Sequence, residues 1–289
     1  METLISSVFN RYSEFEIILA GLSKKTDEQY HNAKKLAVNF FSDVSIENIT
    51  LEDIRDYYSH LLTWQKPDTA RLNIICLRSV LRYCRKNGLK VIDADNIKVP
   101  KRQKRVIKYL TNIEVQEFIK VVGQHRRGYN SINRLRNVAI VKLIYYSGMR
   151  VGEVCRLNKN SFRDGQTTVV GKSRDSRIVF ITNEVQRSID KYLKARDDDC
   201  EALFVSQQTG KRITAGTIRR IFENACNRSD FNNVHPHILR HSFATTLLDR
   251  RVDIRYIGDL LGHVSLDTTK EYTHYSNPKL KEIYKKALT

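Results

Sequence analysis

A short basic stretch, KVPKRQKRVIK at residues 98–108, divides this chain into two parts. It holds six basic residues and one proline and has almost no apolar periodicity, which is typical of a linker between domains. At 289 residues the chain is long enough for two domains of ordinary size, each with its own core. We therefore predict a first domain at 1–97, a basic linker at 98–108 and a second domain at 109–289.

The part before the linker has the periodicity of helices. Apolar residues recur on one face from near Lys25, and the next helix is expected to open with a capping box formed by Thr50 and Asp53. A third helix is expected from Pro67 onward, with Leu72 among the residues on its apolar side. The first domain is thus predicted to be helical.

The part after the linker changes from helical to strand periodicity and back. A capping box at Thr111 and Glu114 starts one helix, and an apolar helix at 133–147 is expected to stop at Gly148. Within 161–182, β-branched runs are broken by Asp-Gly and by Gly-Lys-Ser-Arg-Asp, which predicts a small antiparallel sheet. The fold class predicted for the whole chain is mainly α, with a small antiparallel β-sheet in the second domain.

The overall charge indicates a polyanionic partner. The formal net charge is +18 with an isoelectric point near 9.7, and both parts of the chain carry more basic than acidic residues. No run of about 18 apolar residues could cross a membrane, and the N-terminus lacks the features of a signal peptide. The five cysteines form no CxxC pair, which disfavours a zinc site and indicates a reducing, cytoplasmic setting.

Two groups of basic residues are candidates for DNA contacts. On the third helix, four arginines share the side opposite the apolar residues; a solvated face is the alternative, but the overall charge favours a helix laid along a DNA groove. The linker is basic enough to follow the phosphate backbone. The candidates are Arg71, Arg78, Arg82 and Arg85 on the helix and Lys101, Arg102, Lys104 and Arg105 in the linker.

Side chains suited to phosphate chemistry occur in five phrases of the second part: YYSGMRVGEV, VVGKSRDSR, HPHILRHSFAT, LLGHVSL and DTTKEYTH. Two arginines, a lysine and two histidines can bind and neutralise a phosphate, and a tyrosine hydroxyl can attack it. Glu153, three residues after Arg150, can hold that arginine in place. No carboxylate cage of the kind that a magnesium nuclease needs is present, so phosphoryl transfer without metal or cofactor is predicted. The candidate catalytic residues are Arg150, Lys172, His237, Arg240, His263 and Tyr272.

The order of these phrases closely resembles the tyrosine recombinase family, the integrases and Xer-type enzymes. That family has an arginine in a G-[LM]-R-x-x-E phrase, then a hairpin lysine, H-x-x-R, L-G-H, and a tyrosine before Thr-His. Every element occurs here in that order, over residues 107–289. The resemblance implies that Tyr272 attacks the scissile phosphate to give a 3′-phosphotyrosine and a free 5′-hydroxyl.

The resemblance also implies an architecture and partners. The two domains would form a C-shaped clamp around double-stranded DNA that carries inverted half-sites. Four copies would exchange strands through a four-way junction, joined by a C-terminal helix at about 277–289. The outcome would be integration, excision or resolution of mobile elements or replicon dimers; whether accessory proteins set the direction stays open.

Three alternatives are kept. A type IB topoisomerase uses similar groups to relax DNA by cutting one strand. A basic architectural protein with a decayed active site would bind DNA without chemistry. Tyr275, three residues after Tyr272, is the local rival for the nucleophile.

Overall fold

The computed structural model describes residues 3–18, 21, 24–100, 108–124, 131–171 and 176–262. The chain divides into two compact units, Met1–Arg105 and Val106–Thr289. Several residues singled out above lie outside the described residues. They are Lys101, Arg102, Lys104, Arg105, Lys172, His263, Tyr272, Tyr275 and the C-terminal segment 277–289.

The first unit is helical in its described part. Its α-helices are α1 (Ile5–Tyr12), α2 (Lys24–Phe41), α3 (Leu51–Leu62) and α4 (Pro67–Lys86). The capping box of α3 is present, because the Asp53 backbone N–H donates to Thr50 Oγ1 at 3.2 Å and the Thr50 N–H donates to Asp53 Oδ2 at 2.8 Å. α4 begins with a proline, whose missing N–H is not needed in a first turn.

α4 forms the centre of the first unit, since it packs against α1, α2 and α3. Its buried face includes Ile74, Leu77 and Leu81, which are almost completely buried. The prediction for Leu72 was wrong: its side chain is 42% exposed. At about 100° per residue Leu72 lies some 140° around the helix from Leu77, so it points away from the three neighbouring helices.

Along the sequence of the second unit, helices precede and follow one short β-hairpin, which confirms the predicted fold class. Its described elements are α5 (Asn112–Gly123), α6 (Ser131–Ser147), α7 (Val151–Arg156), β1 (Gln166–Val170), β2 (Ser176–Phe180), α8 (Asn183–Lys194), α9 (Ala215–Cys226), α10 (Pro236–Asp249) and α11 (Ile254–Leu261). The strands are antiparallel, in a register that pairs Gln166 with Phe180 and Val170 with Ser176. None of the helices within the described ranges is long and apolar enough to cross a membrane.

α6 is the central helix of the second unit. It packs against α5, α8 and α10, and Ala139, Ile140, Leu143 and Ile144 are fully buried. A helix buried on several sides needs no polar face, which explains why the second half of α6, residues 138–147, is apolar except for Lys142 and Ser147. Its C-terminus therefore lies inside the unit, and the residues that follow it enter the interior.

Candidate active site

Gly148 makes the turn that leads from α6 into the site. Its φ is +63°, and an added Cβ would lie 2.6 Å from Cδ1 of Phe243 and 2.9 Å from Cδ2 of Leu261. Only glycine fits this position, because a side chain would be strained and would collide with both neighbours. The turn brings Arg150 to the start of α7, where its backbone N–H donates to Glu153 Oε2 at 2.8 Å.

Arg150 is held at two points and remains accessible. Its Nη1 donates to Glu153 Oε1 at 3.2 Å, and its Nη2 donates to the carbonyl oxygen of Gly262 at 3.2 Å. The Arg150 side chain is 38% exposed, whereas that of Glu153 is 2% exposed. A guanidinium has five N–H groups, so Arg150 can hold these contacts and still bind a ligand.

Glu153 is ionised. Burial alone would raise the pKa of its carboxyl group, but hydrogen bonds from the Arg177 side chain and the Arg150 backbone, with the charges of both arginines, outweigh burial and lower it. It is the one carboxylate among the buried residues in the described part of the chain. The Arg150–Glu153 ion pair therefore has a buried carboxylate, unlike the surface ion pair that i,i+3 spacing usually gives.

Arg240 on α10 reaches the same place from another helix. It is 4% exposed; its Nη1 donates to the carbonyl oxygen of Gly148, and its Nη2 donates to that of Leu261 at 2.6 Å. Gly148 lies two residues before Arg150, and Leu261 is the neighbour of Gly262. Arg150 and Arg240 thus converge on the end of α11.

His237 lies one turn before Arg240 on α10, where its side chain is only partly shielded from solvent. Loss of surrounding water lowers the pKa of its imidazole, and electrostatic repulsion between the protonated ring and His235, Arg240, Arg219 and Arg150 lowers it further. The ring is consequently neutral near pH 7 and can accept a proton.

Sequence reasoning missed Arg177, on β2. Its Nη1 and Nη2 donate to the two carboxylate oxygens of Glu153 at 2.8 and 2.7 Å, and its Nε donates to the carbonyl oxygen of Leu260 at 3.0 Å. The alternation of the strand was the available signal, since it turns Arg177 inward together with Val179, while Ser176 and Ile178 are exposed.

The end of α11 is therefore bound by arginines from three elements. Three successive carbonyl oxygens accept their hydrogen bonds: Leu260 from Arg177, Leu261 from Arg240 and Gly262 from Arg150. The C-terminus of a helix carries partial negative charge, which favours cations there. The chemistry available at this cluster is the binding of an anion such as a phosphate. No group of residues able to hold a metal ion occurs within the described ranges.

The arginine face predicted on α4 already has partners in its own unit. Arg78 and Arg82 bind Asp95 at 3.1 and 2.6 Å, and Arg85 binds Asp93. Arg71 Nε donates to the carbonyl oxygen of Pro100 at 2.8 Å. The side chains of Arg82 and Arg85 remain 55% and 56% exposed, so these ion pairs are open to solvent.

Comparison with known proteins places these features in a family context. The sequence profile of the phage integrase family matches residues 108–278. Tyrosine recombinase XerC of Leptospira interrogans is 30% identical over 281 residues, covering 92% of this chain and 89% of that protein. Tyrosine recombinase XerA of Pyrococcus furiosus is 32% identical over 292 residues, covering 99% of this chain and 96% of that protein.

A solved structure has the same fold. A lambda integrase tetramer bound to a Holliday junction matches with a TM-score of 0.74, covering 91% of this chain and 78% of that chain. Its sequence identity is 20%, so this likeness concerns the fold alone.

Proposed function

The chain belongs to the phage integrase family and is a tyrosine-type site-specific DNA recombinase, and we propose that it reacts through the residues gathered around the end of α11. It cleaves and rejoins DNA through a covalent 3′-phosphotyrosine and exchanges strands between two sites through a four-way junction. The phosphotyrosyl ester retains the free energy of the broken phosphodiester, so rejoining requires neither ATP nor a metal ion.

The observation that carries this proposal is the convergence of Arg150 and Arg240. They come from different helices and bind adjacent carbonyl oxygens, and His237 lies one turn before Arg240 on α10. Negative charge spreads over the non-bridging oxygens of a phosphate as a nucleophile adds. Two guanidiniums held in place before the reaction can bind those oxygens through paired N–H groups. Arginine is better suited to this than lysine, whose ammonium group has no planar pair of donors. Glu153 orients Arg150 by the contacts described above.

The remaining steps use residues outside the described part of the chain, assigned from their sequence phrases. Tyr272 Oη forms the bond to phosphorus, and the bond from phosphorus to the 5′-oxygen breaks. Lys172 protonates that oxygen as it departs, and His263 donates a hydrogen bond to the phosphate. His237 assists proton transfer, because its lowered pKa keeps the ring neutral at physiological pH.

Both units take part in holding DNA in this proposal. The α4 arginines face the duplex, and Lys101, Arg102, Lys104 and Arg105 follow the backbone between the first, core-binding unit and the catalytic unit. Ion pairs as exposed as these stabilise a fold little, so DNA phosphates can replace Asp93 and Asp95 as partners of the α4 arginines.

The assembly is a homotetramer on two DNA sites with inverted half-sites, each protomer joined to the next by the segment 277–289. The lambda integrase structure, a tetramer on a Holliday junction, supports this assembly. Cellular DNA is the substrate, so we place the enzyme in the cytoplasm.

A nicked suicide duplex tests the proposal. Cleavage beside the nick releases a short strand, so rejoining fails and the protein–DNA adduct accumulates. The native chain is expected to form this adduct and Tyr272→Phe to form none, while Tyr275→Phe retains it. Arg150→Lys and Arg240→Lys should cleave about 10²–10³-fold more slowly, since each loses a preorganised donor set.

Two results would contradict the assignment: no adduct with the native chain, or an undiminished adduct with Tyr272→Phe. Relaxation of supercoiled plasmid that lacks a recombination site, without exchange between two sites, would instead indicate a type IB topoisomerase.

A further inference from the structure

Arg177 is the main partner of Glu153. Its side chain is 9% exposed and binds the carboxylate through both terminal nitrogens, in the bidentate geometry that gives the strongest arginine–carboxylate pairs. Arg150, by contrast, makes one side-chain bond to Glu153, and that bond is longer, at 3.2 Å. The two arginines therefore share one buried carboxylate unequally.

Arg177 also joins elements that are far apart in the sequence. From β2 it reaches Glu153 on α7 and the carbonyl oxygen of Leu260 near the end of α11. Its stem passes close to Gly262, where an added Cβ would lie 2.8 Å from Arg177 Cδ. Gly262, the residue after α11, therefore leaves room for the side chain of Arg177.

The unequal sharing has a consequence for the exposed arginine. Both oxygens of Glu153 are occupied by Arg177, so the carboxylate holds Arg150 without drawing its whole guanidinium into a bidentate pair. If Arg177 were absent, Glu153 would be a buried carboxylate that lacks its main partner, and such a group strongly favours the nearest cation. Arg150 is the nearest cation with a bond to it already.

We propose that Arg177 is a positioning residue for cleavage. It satisfies Glu153 and fixes the end of α11, which keeps the guanidinium of Arg150 directed toward the scissile phosphate. This role rests on the recombinase function proposed above and adds to it a residue that does not itself touch the DNA.

The test compares the cleavage rate with the affinity for DNA. Arg177→Gln is expected to slow single-turnover cleavage of the suicide duplex about 100-fold at saturating protein, and Arg177→Lys about 10-fold, because lysine still neutralises Glu153. The Kd for the same duplex should change less than about 3-fold, since Arg177 is not a DNA contact. Should the glutamine variant fail to fold, the lysine variant carries the test. Arg163→Gln, at an exposed arginine just before β1, is the matched control and should cleave at the native rate.

A double-mutant cycle separates this role from general loosening of the fold. If Arg177 acts through Arg150, then Arg150→Lys with Arg177→Lys should cleave within about 3-fold of Arg150→Lys alone. The proposal would be overturned if the double variant lost cleavage rate by the product of the two single losses. Cleavage by both Arg177 variants at the native rate would also overturn it. Failure of the native chain to form a Tyr272-dependent adduct would instead overturn the recombinase assignment, so the two failures are distinguishable.

Discussion

Arg240 illustrates how the site keeps positive charge inside the protein. Burying a guanidinium costs free energy unless its N–H groups are paired. Two of its partners are carbonyl oxygens, at Gly148 and Leu261, and not carboxylates. Those two bonds fix the side chain without cancelling its charge.

At the same scale, His241 makes the stability of the protein depend on pH. Burial, followed by the charges of His237 and Arg240, lowers its pKa to about 4 from an ordinary value near 6.5. As the pH falls below about 6.5, His241 is protonated in the unfolded chain before it is protonated in the folded one. The contribution of neutral His241 to the free energy of unfolding is therefore fully present above that pH and is lost as the pH falls toward 4. We expect the free energy of unfolding to drop by at most about 3 kcal/mol across this window.

Urea denaturation of the native chain and of His241→Gln between pH 7 and pH 4.5 measures this dependence. The variant should show a flatter decline, because it lacks the group that binds a proton only on unfolding. An identical decline in both proteins would show that His241 is not the source.

At the scale of elements, the turn between α6 and α7 decides where Arg150 lies. Gly148 combines a positive φ with close approach to Phe243 and Leu261, so it fixes both the path of the chain and the packing of α10 and α11 against it. A substitution at Gly148 should also disturb Arg240, because the carbonyl oxygen of Gly148 accepts a hydrogen bond from that arginine.

Gly148→Ala is therefore expected to destabilise the second unit by about 2–4 kcal/mol, from the strained backbone and the collisions together. Gly210 is a matched control, because its φ is also +63° but nothing lies within 4 Å of an added Cβ. Gly210→Ala should cost only the backbone strain, about 1 kcal/mol. Chemical denaturation of both variants checks the difference, and equal losses would contradict the packing argument.

At the scale of the whole molecule, charge governs the affinity for DNA. The net charge is +18, and each cation that contacts a phosphate releases counterions, so binding should weaken steeply with added salt. Asp95 forms ion pairs with Arg78 and Arg82 of α4, and its negative charge reduces the positive charge of the arginine face of that helix.

Asp95→Asn should release those arginines, tighten DNA binding about 3-fold or more, and steepen its salt dependence. Asp56→Asn, at an exposed residue of α3, makes the same change in net charge elsewhere in the first unit. Titration of labelled duplex at several salt concentrations compares the two variants. Equal effects would mean that the α4 face does not contact DNA.

Features that depend on near neighbours can be predicted from the amino-acid sequence alone. Helical periods, the capping boxes at Thr50 and Thr111, the stop at Gly148 and the hairpin all arise from residues a few positions apart. The ordered phrases that indicate the family are local in the same sense. The fold class and the family could therefore be predicted from the printed sequence.

Contacts between groups that are distant in the sequence became visible in the folded protein. Arg177 binds a carboxylate 24 residues away, Arg150 a carbonyl 112 residues away, and Arg240 one 92 residues away. The exposure of Leu72 likewise followed from how three helices surround α4. No short-range period encodes such pairings, because they depend on how whole helices pack, and packing is a property of all the elements together.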